Sequence, residues 1–193
     1  MKLSRIHKRH VNRLRRAERL SSIQDALLER VDFAGVERAL DLGCGIGHLT
    51  ARLADCYDIE VTGVDVDPDQ VEGARELYGD REHLRFAVVE EAEVPLPDDT
   101  FDLIQVFHVL HHSPCWRELV DELARLLRSE CWLILYEVSL APLISWLFSK
   151  KRYGVYTGDE LRRAFREAGF SLVWLGYDKG FFIRRHAWVL RRF

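Results

Sequence analysis

The stretch from Ala39 to Thr50, Ala-Leu-Asp-Leu-Gly-Cys-Gly-Ile-Gly-His-Leu-Thr, constrains this chain more than any other. A short apolar run carries one acid, Asp41, and glycines follow at alternate positions, Gly43, Gly45 and Gly47. Leu49, Leu53 and Ala54 then fall on one helical face. The expected order is strand, tight turn, helix. Glycine is needed where a turn demands positive φ or where a ligand must rest on bare backbone. The first helical turn offers unpaired N–H groups to that ligand.

The rest of the chain alternates in the same way. Arg38–Leu42, Glu60–Val64 closing in Asp65, Leu84–Val89, Thr100–Phe107 and Cys131–Tyr136 read as strands. Helices are expected at Gly47–Tyr57, from Pro68 to Tyr78 with Asp67 as cap and Gly79 as stop, and from Ser113-Pro114 on, carrying Leu119, Leu123, Leu126 and Leu127. Val138–Phe148 is apolar and irregular. Thr157-Gly-Asp-Glu160 is a capping box opening a helix that ends at Gly169, and Phe170–Leu175 with Phe182–Leu190 forms a final antiparallel pair. Strands separated by helices predict an α/β fold: a doubly wound, mostly parallel sheet with helices on both faces. Residues 4–31, free of proline and glycine, predict a helix, so residues 1–34 read as a basic N-terminal helical extension and 35–193 as the ligand-binding domain. That helix packs its apolar stripe on the core or lies as a lid over the ligand.

The chain of 193 residues carries a net charge of only −3, which gives no whole-protein case for nucleic acid. The charge is uneven, however. Residues 1–20 hold eight Lys or Arg and one acid, leaving 20 bases against 30 acids over residues 21–193. Cys44, Cys56, Cys115 and Cys131 form no C-x-x-C pair, which predicts free thiols, no metal ribbon and a cytoplasmic setting. The basic N-terminus has no apolar run behind it, so no secretory signal is expected. Leu140–Phe148, the longest apolar stretch, is far short of the roughly 20 residues that span a bilayer.

The residues around the glycine turn select its ligand. A pyrophosphate-binding loop reads G-x-G-x-x-G; here the spacing is G-x-G-x-G, and His48 stands where the last glycine would be. Asp41 would repel a pyrophosphate and suit a cation. Asp41-Leu-Gly-Cys-Gly-Ile-Gly47 resembles motif I of the class I, Rossmann-like S-adenosylmethionine-dependent methyltransferases, of the small-molecule methyltransferase-domain type. That cofactor carries a sulfonium and an ammonium against one carboxylate. The segment from Glu90 to Asp102 is similar to the family pattern D-A-E-x-L-P-F-P-D-x-S-F-D, and Leu110-His111-His112 resembles the end of the family's fourth strand.

The resemblance implies a seven-stranded sheet and S-adenosylmethionine as cofactor. It implies that Gly43, Gly45 and Gly47 line its methionine and ribose portions, with Asp41 near the ammonium and Cys44 and His48 alongside. Asp65, with Val66, would hold the ribose, Glu90 or Glu91 would lie near the adenine, and Phe107 and His108 would close the wall. His111 and His112 stand at the mouth, where one could remove a proton from an acceptor; Glu137, just past the fifth strand, could reach an acceptor. The family usually reads R-x-L-K-P-G-G before strand five, and Arg125-Leu-Leu-Arg-Ser-Glu-Cys-Trp132 lacks that turn.

The expected function is transfer of a methyl group to an O, N or C atom of a small acceptor. Residues 140–156, with Trp146, Phe148, Lys150, Lys151, Tyr153 and Tyr156, either pack as a lid or suit an apolar, lipid-like acceptor. With the basic arm they would also suit peripheral contact with a membrane surface. Three alternatives remain open: a nicotinamide-dependent oxidoreductase, a non-catalytic S-adenosylmethionine-binding protein, and an RNA methyltransferase using the basic arm, against which stands the lack of an N-P-P-Y-like motif.

Overall fold

Strand β4 (Phe101–Phe107) is buried along its whole length, as a central strand of a parallel sheet must be. The computed structural model describes residues 14–90, 93–140, 156–179 and 183–193. The basic arm over residues 1–13, Glu91, and the aromatic and basic segment 141–155 lie outside them. Among the described residues β4 pairs in parallel with β1 (Arg38–Leu42) on one side and with β5 (Leu127–Leu140) on the other. β1 pairs with β2 (Glu60–Asp65), and β2 with β3 (Leu84–Val88), again in parallel. β7 (Ile183–Arg192) runs antiparallel to both β5 and β6 (Phe170–Lys179). The seven-stranded order is β3-β2-β1-β4-β5-β7-β6. Strand order reverses between β1 and β4, and a crevice opens beyond their carboxyl ends.

Two apolar layers cover the sheet. Leu27 and Leu28 of α1 (Leu14–Leu28), Ala51 and Leu53 of α2 (His48–Tyr57), and Val71 and Ala74 of α3 (Pro68–Tyr78) pack on Ala39, Val61, Leu103, Ile134 and Val189. On the other face, Leu119 and Leu123 of α4 (Trp116–Leu126) and Leu161 and Phe165 of α5 (Gly158–Glu167) pack on Leu40, Ile104, Leu133 and Trp188. The local signals act as expected. Asp67 accepts from Asp69 N, Pro68 stands in the first turn of α3, and Thr157 and Glu160 form a reciprocal capping box on α5.

Several boundaries differ from the sequence reading. α4 starts at Trp116, not at Ser113-Pro114: a 3₁₀ turn, Leu110–His112, comes first, and the Ser113 hydroxyl accepts from Cys115 N. β5 starts at Leu127 rather than Cys131. Its register against β4 jumps between Leu127 and Trp132, where Glu130 takes φ +64°. Arg191 fixes this irregular turn, donating to the Glu130 carbonyl and pairing with its carboxylate. β6 and β7 run past Leu175 and Leu190, because pairing with a neighbour overrides the polar composition of their ends. Among the described residues no helix is long and apolar enough to cross a membrane.

Asp102 clamps the amino ends of the sheet. Its Oδ2 accepts from the backbone N–H of Glu37 and of Arg38, each at 3.0 Å, and its Oδ1 from Arg128 at 2.7 Å. Asp102→Ala would leave these donors without their acceptor and should lower the unfolding free energy by about 2–4 kcal/mol, read from the urea midpoint at unchanged m-value.

Candidate functional site

The loop after β1 lies over the crevice because β2 holds it there. Gly43 N and Cys44 N both donate to Val64 O, at 2.8 and 3.0 Å, and Gly47 N closes the turn onto Cys44 O. Gly43 has φ +77°, and a Cβ on it would stand 2.3 Å from Val109 Cγ2. The loops following β1 and β4 therefore touch, and a side chain here would force them apart. Gly45 is different: its Cβ would meet only Gln70 Oε1, at 3.6 Å, so the backbone is bare toward the cavity.

That cavity measures about 410 Å³. Asp41, Gly43, Cys44, Gly45, His48, Asp65, Val66, Glu90, Phe107 and His108 all line it, as does His112. Gly47 does not. It caps α2 at φ +78°, and its Cβ would stand 2.8 Å from the Phe86 ring. The expectation that Gly47 lines the ligand is corrected on that ground: the residue lets α2 approach β3.

Two carboxylates face the cavity from neighbouring strands. Asp41 is only 2% exposed. Its Oδ2 accepts from the Thr50 hydroxyl at 2.5 Å. Burial pushes its pKa up to about 6, against the opposing pull of Thr50 and Gln105. The folded chain then binds more protons than the unfolded one between about pH 4 and pH 6. Stability from this group is therefore lost as pH rises through that window, by up to about 3 kcal/mol. A bound cation would reverse that loss. Asp65 is half-buried, and burial raises its pKa too. One of its oxygens accepts from Gly45 N and the other from Asp67 N, both at 2.9 Å. It therefore shapes the glycine loop as well as facing the cavity. Burial, then Asp41 and Asp65, push the Cys44 thiol well up, so it stays protonated and non-nucleophilic.

At the mouth, Glu137 is fully buried and saturated. Its Oε2 accepts from Val109 N and Leu110 N at 3.0 and 2.7 Å, and its Oε1 from Val138 N at 2.8 Å and from His111 Nδ1. Burial alone would raise its pKa, but His111, His108 and the Val138 N–H together outweigh burial and hold the carboxyl below its usual range. The expectation that Glu137 reaches an acceptor is corrected: no face of it is open, and it holds His111 instead. His111 is partly exposed and stands outside the cavity wall, while His112 lies within it. His108 takes φ +60°, strain that a non-glycine residue sustains when its surroundings fix it; its ring packs edge-on to Tyr136 and His111. Ligand atoms of His108, His111 and Glu137 lie within 4.8 Å of one another. The Glu137 oxygens, however, are engaged by N–H groups.

The sequence reading missed part of the wall. Ala17 and Leu20 of α1 reach the cavity, as do Gln70, Leu77 and Tyr78 of α3. Leu20 was visible in the apolar stripe of α1; the α3 residues gave no such signal. Gln70 Oε1 is buried without a hydrogen-bond partner, next to Gly45. An unpaired acceptor beside bare backbone, with two carboxylates and a mainly apolar wall, fits a nucleoside carrying a cationic tail.

Comparison with known proteins agrees with this geometry. Residues 40–135 match the family model described as methyltransferase domain. The chain is 30% identical over 166 residues to 27-O-demethylrifamycin SV methyltransferase from Amycolatopsis mediterranei, covering 80% of this chain and 61% of that relative. It thus spans about three-fifths of the relative's length. Among solved structures, the [4+2]-cyclase SpnF superposes with TM-score 0.77 at 19% identity, over 89% of this chain and 80% of that one. Geranyl diphosphate methyltransferase in complex with SAM gives 0.76 at 16% identity, over 91% and 87%. Both likenesses are of fold.

Glu137→Ala would strand the Val109 and Leu110 N–H groups and release His111. Loss of about 3–5 kcal/mol is expected by denaturant unfolding, whereas Glu137→Gln, which keeps one acceptor oxygen, should lose less.

Proposed function

We propose that the chain is a class I methyltransferase that binds S-adenosylmethionine and transfers its methyl group to an O, N or C atom of a small, largely apolar acceptor. The observation that carries this reading is the buried Asp41 carboxylate beside the bare backbone of Gly45, a setting suited to an ammonium and hostile to a pyrophosphate. In this reading Asp65 and Gln70 receive the ribose hydroxyls, Glu90 stands near the adenine, and His108 and Phe107 bound the methyl end.

The bound cofactor supplies a methyl already activated on a cationic sulfur. What remains for the protein is alignment and exclusion of water. The apolar wall formed by Leu20, Leu49, Val109 and Leu119 excludes water. His111, its Nδ1 held by Glu137, keeps Nε2 as the open site for the proton that an acceptor hydroxyl or amine gives up. His112 in the cavity wall contacts the acceptor. Contact with a membrane surface, expected of the basic arm and of residues 140–156, falls largely outside the described residues.

Incubation of the full chain with methyl-labelled S-adenosylmethionine and a panel of small phenols, amines and polyketide-like alcohols tests this. Acceptor-dependent formation of S-adenosylhomocysteine is expected. Tight cofactor binding with no turnover on any acceptor would favour a protein that holds the cofactor for another purpose. Because an ammonium needs Asp41 ionised, cofactor affinity should be flat above about pH 6 and fall roughly tenfold per unit below it, as measured by calorimetry.

A further inference from the structure

α1 sends one arginine across to the sheet. Arg19 is exposed overall, yet its Nη2 reaches β5 and donates to the Tyr136 hydroxyl at 3.3 Å. A guanidinium carries five N–H donors. Among the described residues, Arg19 meets this phenol and no carboxylate. The phenol oxygen accepts from Arg19, so its own O–H proton is left to donate. Guanidinium N–H and phenolic O–H groups are therefore side by side.

This pair stands at the rim of the cavity. Ala17 and Leu20, in the same stretch of α1 as Arg19, line the cavity, as do Phe107 and His108. The Tyr136 ring packs on both of the latter, 6.0 Å from Phe107 and, edge-on, 4.9 Å from His108. α1 is pinned in this position. The fully buried Gln24 donates to Leu49 O at 3.0 Å and to Gln105 Oε1 at 2.7 Å, and Asp25 takes two hydrogen bonds from Arg52 of α2, at 2.8 and 2.7 Å. On β7, Ala187 is the register partner of Tyr136 and Arg185 that of Val138. Alternation along the strand therefore puts the half-buried Arg185 on the same face of the sheet as Tyr136. Glu137, the acid next to Tyr136 in sequence, belongs to the opposite face. Its oxygens are taken by Val109, Leu110 and Val138 N–H groups and by His111.

We infer that Arg19 and Tyr136 are specificity-determining residues for the acceptor: the acceptor carries an oxyanion, a carboxylate or a phosphate, which takes N–H from Arg19 and O–H from Tyr136. This deepens the reading given above and rests on it, since Phe107 and His108, against which Tyr136 packs, bound the methyl end there. A fork of N–H donors matches the spacing of two oxygens on either anion. An acceptor held by its anionic group has its nucleophilic atom at a fixed reach from the methyl carbon.

The test titrates octanoate, octyl phosphate and octanol, by calorimetry, into the full chain saturated with S-adenosylhomocysteine. The same titrations are run on Arg19→Met, Arg19→Lys and Tyr136→Phe. In the unsubstituted chain at least one anion should bind about tenfold or more tighter than octanol, and the tighter of the two names the group as carboxylate or phosphate. Arg19→Met should erase that preference while changing octanol affinity less than about twofold. Arg19→Lys, a point charge without the fork, should keep part of it, and Tyr136→Phe should weaken the anion about threefold. Equal binding of anions and octanol would overturn the proposal, as would a preference that survives in Arg19→Met. Capture of the chain by phosphatidylglycerol vesicles, with no saturable binding of either short-chain anion, would also overturn it and assign Arg19 to a membrane surface. Binding of S-adenosylhomocysteine is measured first and separates the two failures. If the unsubstituted chain does not bind it, the cofactor reading fails and the acceptor assignment is overturned with it.

Discussion

A carboxylate buried at the point where the sheet changes direction governs this molecule. Asp41 ends up there because β1 must lie between β2 and β4 with alternate residues facing α1 and α2. Left alone it resists ionisation, as its pKa of about 6 records. Thr50 and Gln105 relieve part of that resistance, and a cation would relieve the rest. The glycine loop, the hydrogen bonds that pin it to Val64, and the contact between Gly43 and Val109 all bring bare backbone to the side of this one charge.

A second carboxylate plays a complementary part at the mouth. Glu137 is as buried as Asp41 but stays ionised, because three backbone N–H groups and His111 converge on it. The difference between the two is one of satisfaction. A saturated carboxylate organises its surroundings, here the turn that carries His111 and His112. An under-satisfied one is available to a ligand. The same contrast separates Asp102, fully engaged at the other end of β4, from the half-buried Asp65, which binds two loop N–H groups and still faces the cavity.

Much of this was legible in the sequence, because local physics decides it. The spacing of Gly43, Gly45 and Gly47, the Asp67-Pro68 helix start, and the Thr157/Glu160 box are each settled within a few residues of chain, and the β–α alternation fixes the doubly wound sheet. The seven-strand count came with the family resemblance. What could not be read depends on residues distant in sequence. Nothing near Gly47 shows that Phe86 packs against it. Nothing near Glu137 shows that Val109 and Leu110 turn their N–H groups upon it. The burial of Gln24 appears only when α1 is laid on β4, since a glutamine in a helix reads as a solvated residue until its neighbours are known. The early start of β5 follows from Arg191, which lies at the far end of the chain and secures the turn at Glu130.

Whether the glycine loop serves a cationic sulfur ligand or an anionic dinucleotide is tested most directly by titrating the full chain at neutral pH with S-adenosylmethionine and, separately, with NAD, beside an Asp41→Asn variant. Saturable heat with S-adenosylmethionine, weakened at least about tenfold by Asp41→Asn, and none with NAD is the expected result. Binding of NAD that Asp41→Asn leaves intact or strengthens would contradict it.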